Sequence, residues 1–121
     1  MKSTITLFFA FIFSTLLISA QAKEESKIKT IKIKTTAQCE ECKDRIEKAM
    51  AYEKGVKTSN LDLETKVLTV VYNGNKTTDA KIRKAISNTG YDADDIKKNQ
   101  KAYNALPACC KLPTDPQHKG H

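Results

Sequence analysis

The sequence predicts an α+β sandwich, an antiparallel four-stranded sheet with two helices on one face, followed by a polar C-terminal tail. Three observations carry that expectation. Residues Ile28 to Thr35 alternate apolar with polar side chains and lead into an apolar stripe at helical spacing. Two β-branched or aliphatic runs, Val56 to Leu63 and Lys66 to Tyr72, are separated only by Glu64-Thr65. A second helical stripe then ends at Gly90, ahead of a short run from Tyr91 to about Ile96.

In the first strand Ile31 and Ile33 share one face while Lys32 and Lys34 share the other, the pattern of a half-buried strand. Cys42, Ile46, Ala49, Met50 and Glu53 recur on one side of a helix that should stop at Gly55, where glycine suits the left-handed turn that closes helices. The two following runs read as a hairpin, and Asn73-Gly74-Asn75 ends it in a turn. Thr77 or Thr78 can cap a second helix whose stripe is Ile82, Ala85 and Ile86. Residues 91–96 would complete the sheet as its fourth strand. The order contains two strand–helix–strand halves, the ferredoxin-like plan. Beyond it lie Pro107, Pro113 and Pro116, a helical turn expected around Ala102 to Leu106, and a chain end expected to be mobile from about residue 114.

Before this domain comes a different kind of segment. Lys2, an apolar run from Ile5 to Ile18, and Ser19-Ala20-Gln21-Ala22 have the form of a cleaved signal peptide, residues 1–22. The run falls short of the roughly 20 residues that span a bilayer. No cysteine stands at the cleavage site to take a lipid, so stable membrane insertion of the remainder is not expected. Of the 121 residues 40% are hydrophobic, but all four Phe lie in this segment. The remainder, divided into a domain at 23–97 and a tail at 98–121, has only 16 Leu, Ile and Val residues. That is lean for a chain that must bury a core. It is also too short for a two-domain enzyme with an interdomain cleft. The net charge of +7 comes from scattered lysines without an aromatic platform, which argues against nucleic acid as a partner. Those lysines suit a solvated surface, or the steering of an acidic partner.

The concentrated chemistry is in four cysteines, Cys39, Cys42, Cys109 and Cys110. Cys39-Glu40-Glu41-Cys42 falls at the junction of the first strand and first helix, where both sulfurs can point at one external spot. Backbone N–H groups and the helix dipole there favour thiolate. Two close thiolates suit a soft cation such as Cu(I) or Hg(II), and Zn(II) if further ligands arrive. Glu40 and Glu41 add opposing negative charge. The same spacing also serves thiol–disulfide exchange or a plain structural disulfide, although a thioredoxin site needs a cis-proline facing the cysteines. Here every proline lies beyond residue 106.

The stretch from about Ile28 to Ile96 resembles the heavy-metal-associated domain family. The likeness rests on the C-x-x-C after the first strand, on Gly55-Val56, on the hairpin Leu61-Asp62-Leu63-Glu64-Thr65-Lys66, and on Gly90-Tyr91-Asp92. That family includes copper chaperones, soluble modules of copper-transporting ATPases and a periplasmic mercury-binding protein. The resemblance implies a non-enzymatic carrier, expected to be monomeric, and the leader at residues 1–22 places it in the periplasm or outside the cell. Cys39 and Cys42 would bind one soft ion in a shallow, exposed loop and pass it by ligand exchange to a metal transporter or another metal-binding protein. The ion would be Cu(I) first, with Hg(II) or Zn(II) as alternatives. Tyr91 matches a position near the metal loop in bacterial copper chaperones, and it suits core packing equally. Where the family has Gly-Met-Thr before the first cysteine, this chain has Thr36-Ala37-Gln38, so a less filled loop is expected.

Cys109-Cys110 has no counterpart in the ordinary family domain. Twelve residues from Lys97 to Ala108 are enough, at about 3.3 Å each, to carry these sulfurs back to the loop. There they would add metal ligands or close a disulfide with Cys39 or Cys42; otherwise they are a free or partner-binding pair. His118 and His121, in a polar tail, are expected to be solvated rather than ligands.

Overall fold

A computed structural model of the protein describes residues 27–119; the signal-peptide expectation for residues 1–22 and His121 lie outside them. Strand β1 (Ile28–Lys34) is followed by helix α1 (Glu40–Tyr52), strands β2 (Val56–Asp62) and β3 (Val67–Asn73), helix α2 (Asp79–Asn88) and the short helix α3 (Gln100–Asn104). The sheet has the order β1-β3-β2 with both pairings antiparallel. Its register puts Ile33 and Leu61 on either side of Leu68, with Ile31 beside Val70 in the next row. Ile33, Leu68 and Val70 join Ile46 and Met50 of α1 and Ile82 and Ile86 of α2 in one core. The apolar side of β1 is thus covered, while Lys32 and Lys34 stay exposed.

The punctuation residues act as their chemistry requires. Thr78, not Thr77, caps α2 by accepting from the Lys81 amide at 3.2 Å. Gly55 follows α1 at φ +87° and Gly90 follows α2 at φ +102°. The hairpin differs in detail from expectation. Four residues rather than two connect β2 to β3. Asp62 accepts from the amides of Glu64 and Thr65, and Lys66 takes a left-handed φ of +62°.

The fourth strand does not form. Residues 91–96 make only bridges, Thr35 with Ala93 and Ala93 with Ile96. The cause is Asp94. It adopts φ +51°, its carboxylate accepts from the Lys34 amide at 2.8 Å, and its other oxygen binds Arg83 at 3.0 Å. A side chain thereby takes the place of a ladder hydrogen bond, and Ala93 and Ile96 bond each other across an Asp94-Asp95 turn. The sheet is three-stranded, with residues 91–96 bonded to it only at the end of β1, at Lys34 and Thr35.

The tail does not trail into solvent. Asn99 caps α3 by accepting from the Ala102 amide, and its own N–H donates to the Ser87 carbonyl. Gly90 sits directly under α3; a Cβ there would lie 3.0 Å from the Tyr103 nitrogen. Lys111 is 3% exposed, donating from its ammonium to the carbonyls of Tyr103 and Asn104, the last carbonyls of α3. The same ammonium lies 4.7 Å from the centroid of the Tyr103 ring. The Tyr103 hydroxyl donates to Asp115 at 2.7 Å and accepts from the Leu112 amide at 2.9 Å. Even Lys119 donates to the Ala108 carbonyl, so the expected loose end is bonded back through the last described residue. Among the described residues no helix is long and apolar enough to cross a membrane.

Candidate metal centre

Cys39 is the residue before α1, with extended backbone (φ −152°, ψ 174°), and its side chain caps no helix N–H. The sulfur is therefore left to face inward, 3.3 Å from that of Cys42 in the first turn of α1. The preceding loop is braced on both sides. Thr35 donates its hydroxyl to the Lys66 carbonyl and accepts from the Ala37 amide, while the Thr36 hydroxyl accepts from the Asp92 amide. Ala37 is fully buried in the same core cluster as Tyr91 and Cys110.

The tail brings the other two sulfurs to this point. A 3₁₀ turn at Ala108–Cys110 places Cys110 3.8 Å and Cys109 3.9 Å from the Cys39 sulfur. Cys39, Cys42 and Cys110 have their sulfurs mutually within 4.8 Å, while Cys109 groups with Glu41 and Cys110. All four cysteines are free thiols, with Cys42 0% and Cys110 1% exposed and Cys39 and Cys109 partly open. The site is less exposed than the family resemblance implied, since Cys42 and Cys110 are buried, although Cys39 stays partly open. His118 is not part of either sulfur group; its ring Nδ1 lies 2.9 Å from the Lys111 carbonyl within the tail.

The sulfurs are electrostatically unequal. Burial works against ionising Cys42, but polar groups of Cys110, the Gln38 backbone, Tyr91 and Cys39 directed at its sulfur outweigh it, and the thiol is held below its usual range. Burial pushes the Cys110 thiol up, and the neighbouring Cys42 pushes it further. The two buried sulfurs are thus biased in opposite directions, Cys42 toward thiolate and Cys110 toward thiol. Cys109 donates to the Glu41 carboxylate at 2.9 Å, which with partial burial pushes it up to about 11. Glu41 thus opposes thiolate formation at Cys109.

Tyr91 lies beneath the cluster, 1% exposed. Its hydroxyl is fully buried without a close hydrogen-bond partner. Burial above all, then Cys42 and Cys110, raise its pKa far out of reach. It is a core residue packed in the same cluster as Cys42 and Cys110. The docking of the tail around Tyr103 and Lys111 escaped the sequence reading; the signal available for it was a Tyr103-to-Leu106 apolar pair at helical spacing in an otherwise polar segment.

Residues 30–92 match the model of the heavy-metal-associated domain. A copper chaperone CopZ of Staphylococcus epidermidis is 35% identical over 54 residues, 45% of this chain and 79% of its own. Among solved structures, a CopZ metallochaperone aligns with a TM-score of 0.52 at 26% identity, covering 54% of this chain and 98% of that one. Oxidised MerP from Ralstonia metallidurans CH34 aligns with a TM-score of 0.54 at 25% identity, covering 55% and 94%. The family match stops short of α3 and the tail cysteines.

Proposed function

Because the chain belongs to the heavy-metal-associated domain family, its model spanning just over half of the sequence, we propose that the protein is an exported carrier of a soft metal ion. Cys39 and Cys42 hold the cargo, Cu(I) in the first place and Hg(II) as the related alternative. The observation that carries this reading is the pair of unbonded sulfurs 3.3 Å apart at the β1–α1 junction. Soft thiolates select such ions over the hard cations that prefer oxygen. The copper assignment rests on a relative named as a copper chaperone, and mercury follows as another soft ion that paired thiolates select. The export reading rests on the leader-like residues Met1 to Ala22.

No catalytic step is involved. Delivery is ligand exchange: a thiolate of the acceptor bonds to the ion, a resident sulfur leaves, and the oxidation state of the metal does not change. The acceptor is a metal transporter or another thiol-bearing metal protein, met by a monomeric carrier. The test is anaerobic titration of the reduced chain with Cu(I) against a competing chelator. One ion per chain is expected, lost in Cys39→Ser and in Cys42→Ser. Failure to compete, with ready formation of a mixed disulfide with a small thiol, would instead identify a thiol–disulfide exchange protein.

A further inference from the structure

We propose that Cys110 is a third resident ligand, so that the docked tail converts the two-thiolate loop into a closed three-thiolate site. This rests on the loop being a metal site, and deepens that reading. The geometry favours three ligands over two. With a metal–thiolate bond of about 2.3 Å, linear two-coordination sets the sulfurs about 4.6 Å apart, whereas a trigonal plane sets them about 4.0 Å apart. Cys39 and Cys42 stand at 3.3 Å and Cys39 and Cys110 at 3.8 Å, with all three sulfurs within 4.8 Å. The triangle needs only a small expansion to take an ion at its centre; the linear arrangement needs the C-x-x-C pair to open by more than 1 Å.

Cys110 also sits in a built position. Its 3₁₀ turn is closed by its own amide on the Pro107 carbonyl at 2.9 Å, and the next residue, Lys111, is locked onto the end of α3. Cys109, in contrast, turns toward Glu41 at the partly open edge of the cluster. The two adjacent cysteines are therefore not equivalent. Cys110 completes the triangle, and Cys109 stays outside it.

The consequence for transfer is a displaceable cover. An acceptor thiol approaching the ion gives up its proton, its sulfur bonds to the metal as the metal–Cys110 bond breaks, and Cys110 takes up a proton. Charge and oxidation state balance, and the tail moves aside with its sulfur. Isolated two-cysteine domains lack this third ligand, so the full chain holds the same ion more tightly.

The test loads the full reduced chain with Cu(I) anaerobically and counts sulfurs per copper by X-ray absorption, with affinity read by chelator competition. Wild type and Cys109→Ser are expected to show three sulfurs, and Cys110→Ser two, with affinity at least tenfold weaker. Two sulfurs in the wild type, or three retained in Cys110→Ser, overturns the proposal. The wild-type count decides even where Cys110→Ser does not fold. Two sulfurs in a wild type whose binding is lost in Cys39→Ser removes the third ligand but leaves the carrier reading intact; no copper binding at all removes both.

Discussion

Two segments deliver sulfur to the same few ångströms, and they are held there by different forces. The loop carrying Cys39 and Cys42 hangs between β1 and α1, whose apolar faces are buried in the common core. The tail carrying Cys109 and Cys110 contributes little periodic apolar surface. Only its Tyr103, Leu106 and Cys110 enter the common core, and directional polar contacts supply the rest: Lys111 on the last carbonyls of α3 and the Tyr103 hydroxyl between Asp115 and Leu112 brace the tail within itself, while Asn99 on Ser87 ties it to α2. Burial of apolar area tolerates small shifts of position, whereas hydrogen bonds weaken steeply with angle and distance. The loop should therefore persist as long as the domain is folded, and the tail should be separable from it.

The largest expected effect tests the first half of that contrast. Ile46 is fully buried on α1, one turn after Cys42, in the core shared with the sheet. Ile46→Ala should cost about 2–5 kcal/mol of global stability, because the cavity is left between elements that cannot close over it. Loop and tail should then unfold together in a single thermal transition. A fall confined to the tail, with the sheet and helices unaffected, would place the division between the regions somewhere else.

The same contrast explains what was legible in the residues. β1 shows itself because Ile31 and Ile33 alternate with lysines, α2 because Thr78 caps a stripe of Ile82, Ala85 and Ile86, and the helix ends because Gly55 and Gly90 supply positive φ. Each is a local rule with a local signal. The missing fourth strand depends on Asp94 reaching back to the Lys34 amide, sixty residues away in the chain, which no window of sequence contains. The four cysteines could be named as candidates, and the reach of the tail allowed for, but which tail sulfur lies inside depended on the turn at Ala108–Cys110 and the buried Lys111 that anchors it.

A smaller and more selective effect is expected at Gly90, where the end of α2 meets α3. Its φ of +102° is left-handed, and a Cβ would meet the Tyr103 nitrogen at 3.0 Å and the Ala102 carbonyl carbon at 3.1 Å. Both contacts are backbone, so neither can rotate away. Gly90→Ala should cost about 1–3 kcal/mol through strain at φ and loss of α3 docking. Amide hydrogen exchange should show α3 and the Ala108–Cys110 turn losing protection while the β1–β3 pairing keeps it. Equal loss in sheet and tail would mean that the two are a single cooperative unit.

The smallest effect is a pH dependence of the tail alone. The Gln117 amide first, and then the Tyr103 hydroxyl, hold the Asp115 carboxyl below the usual carboxylate range. A carboxyl whose folded pKa is depressed favours the folded arrangement fully above its unfolded value of about 3.9, and loses that contribution as pH falls through the lower folded value. Asp115 lies at the surface, so solvent screening keeps the effect small and local. On acidification below about pH 4, the amides of α3 and of residues 112–119 should lose exchange protection before those of β3 do. Asp115→Asn keeps an oxygen to accept from Tyr103 but cannot titrate, so this early step should flatten. If the asparagine variant loses tail protection over the same pH range as the wild type, Asp115 is not the group that fastens the tail, and the polar contacts around Tyr103 have a different keystone.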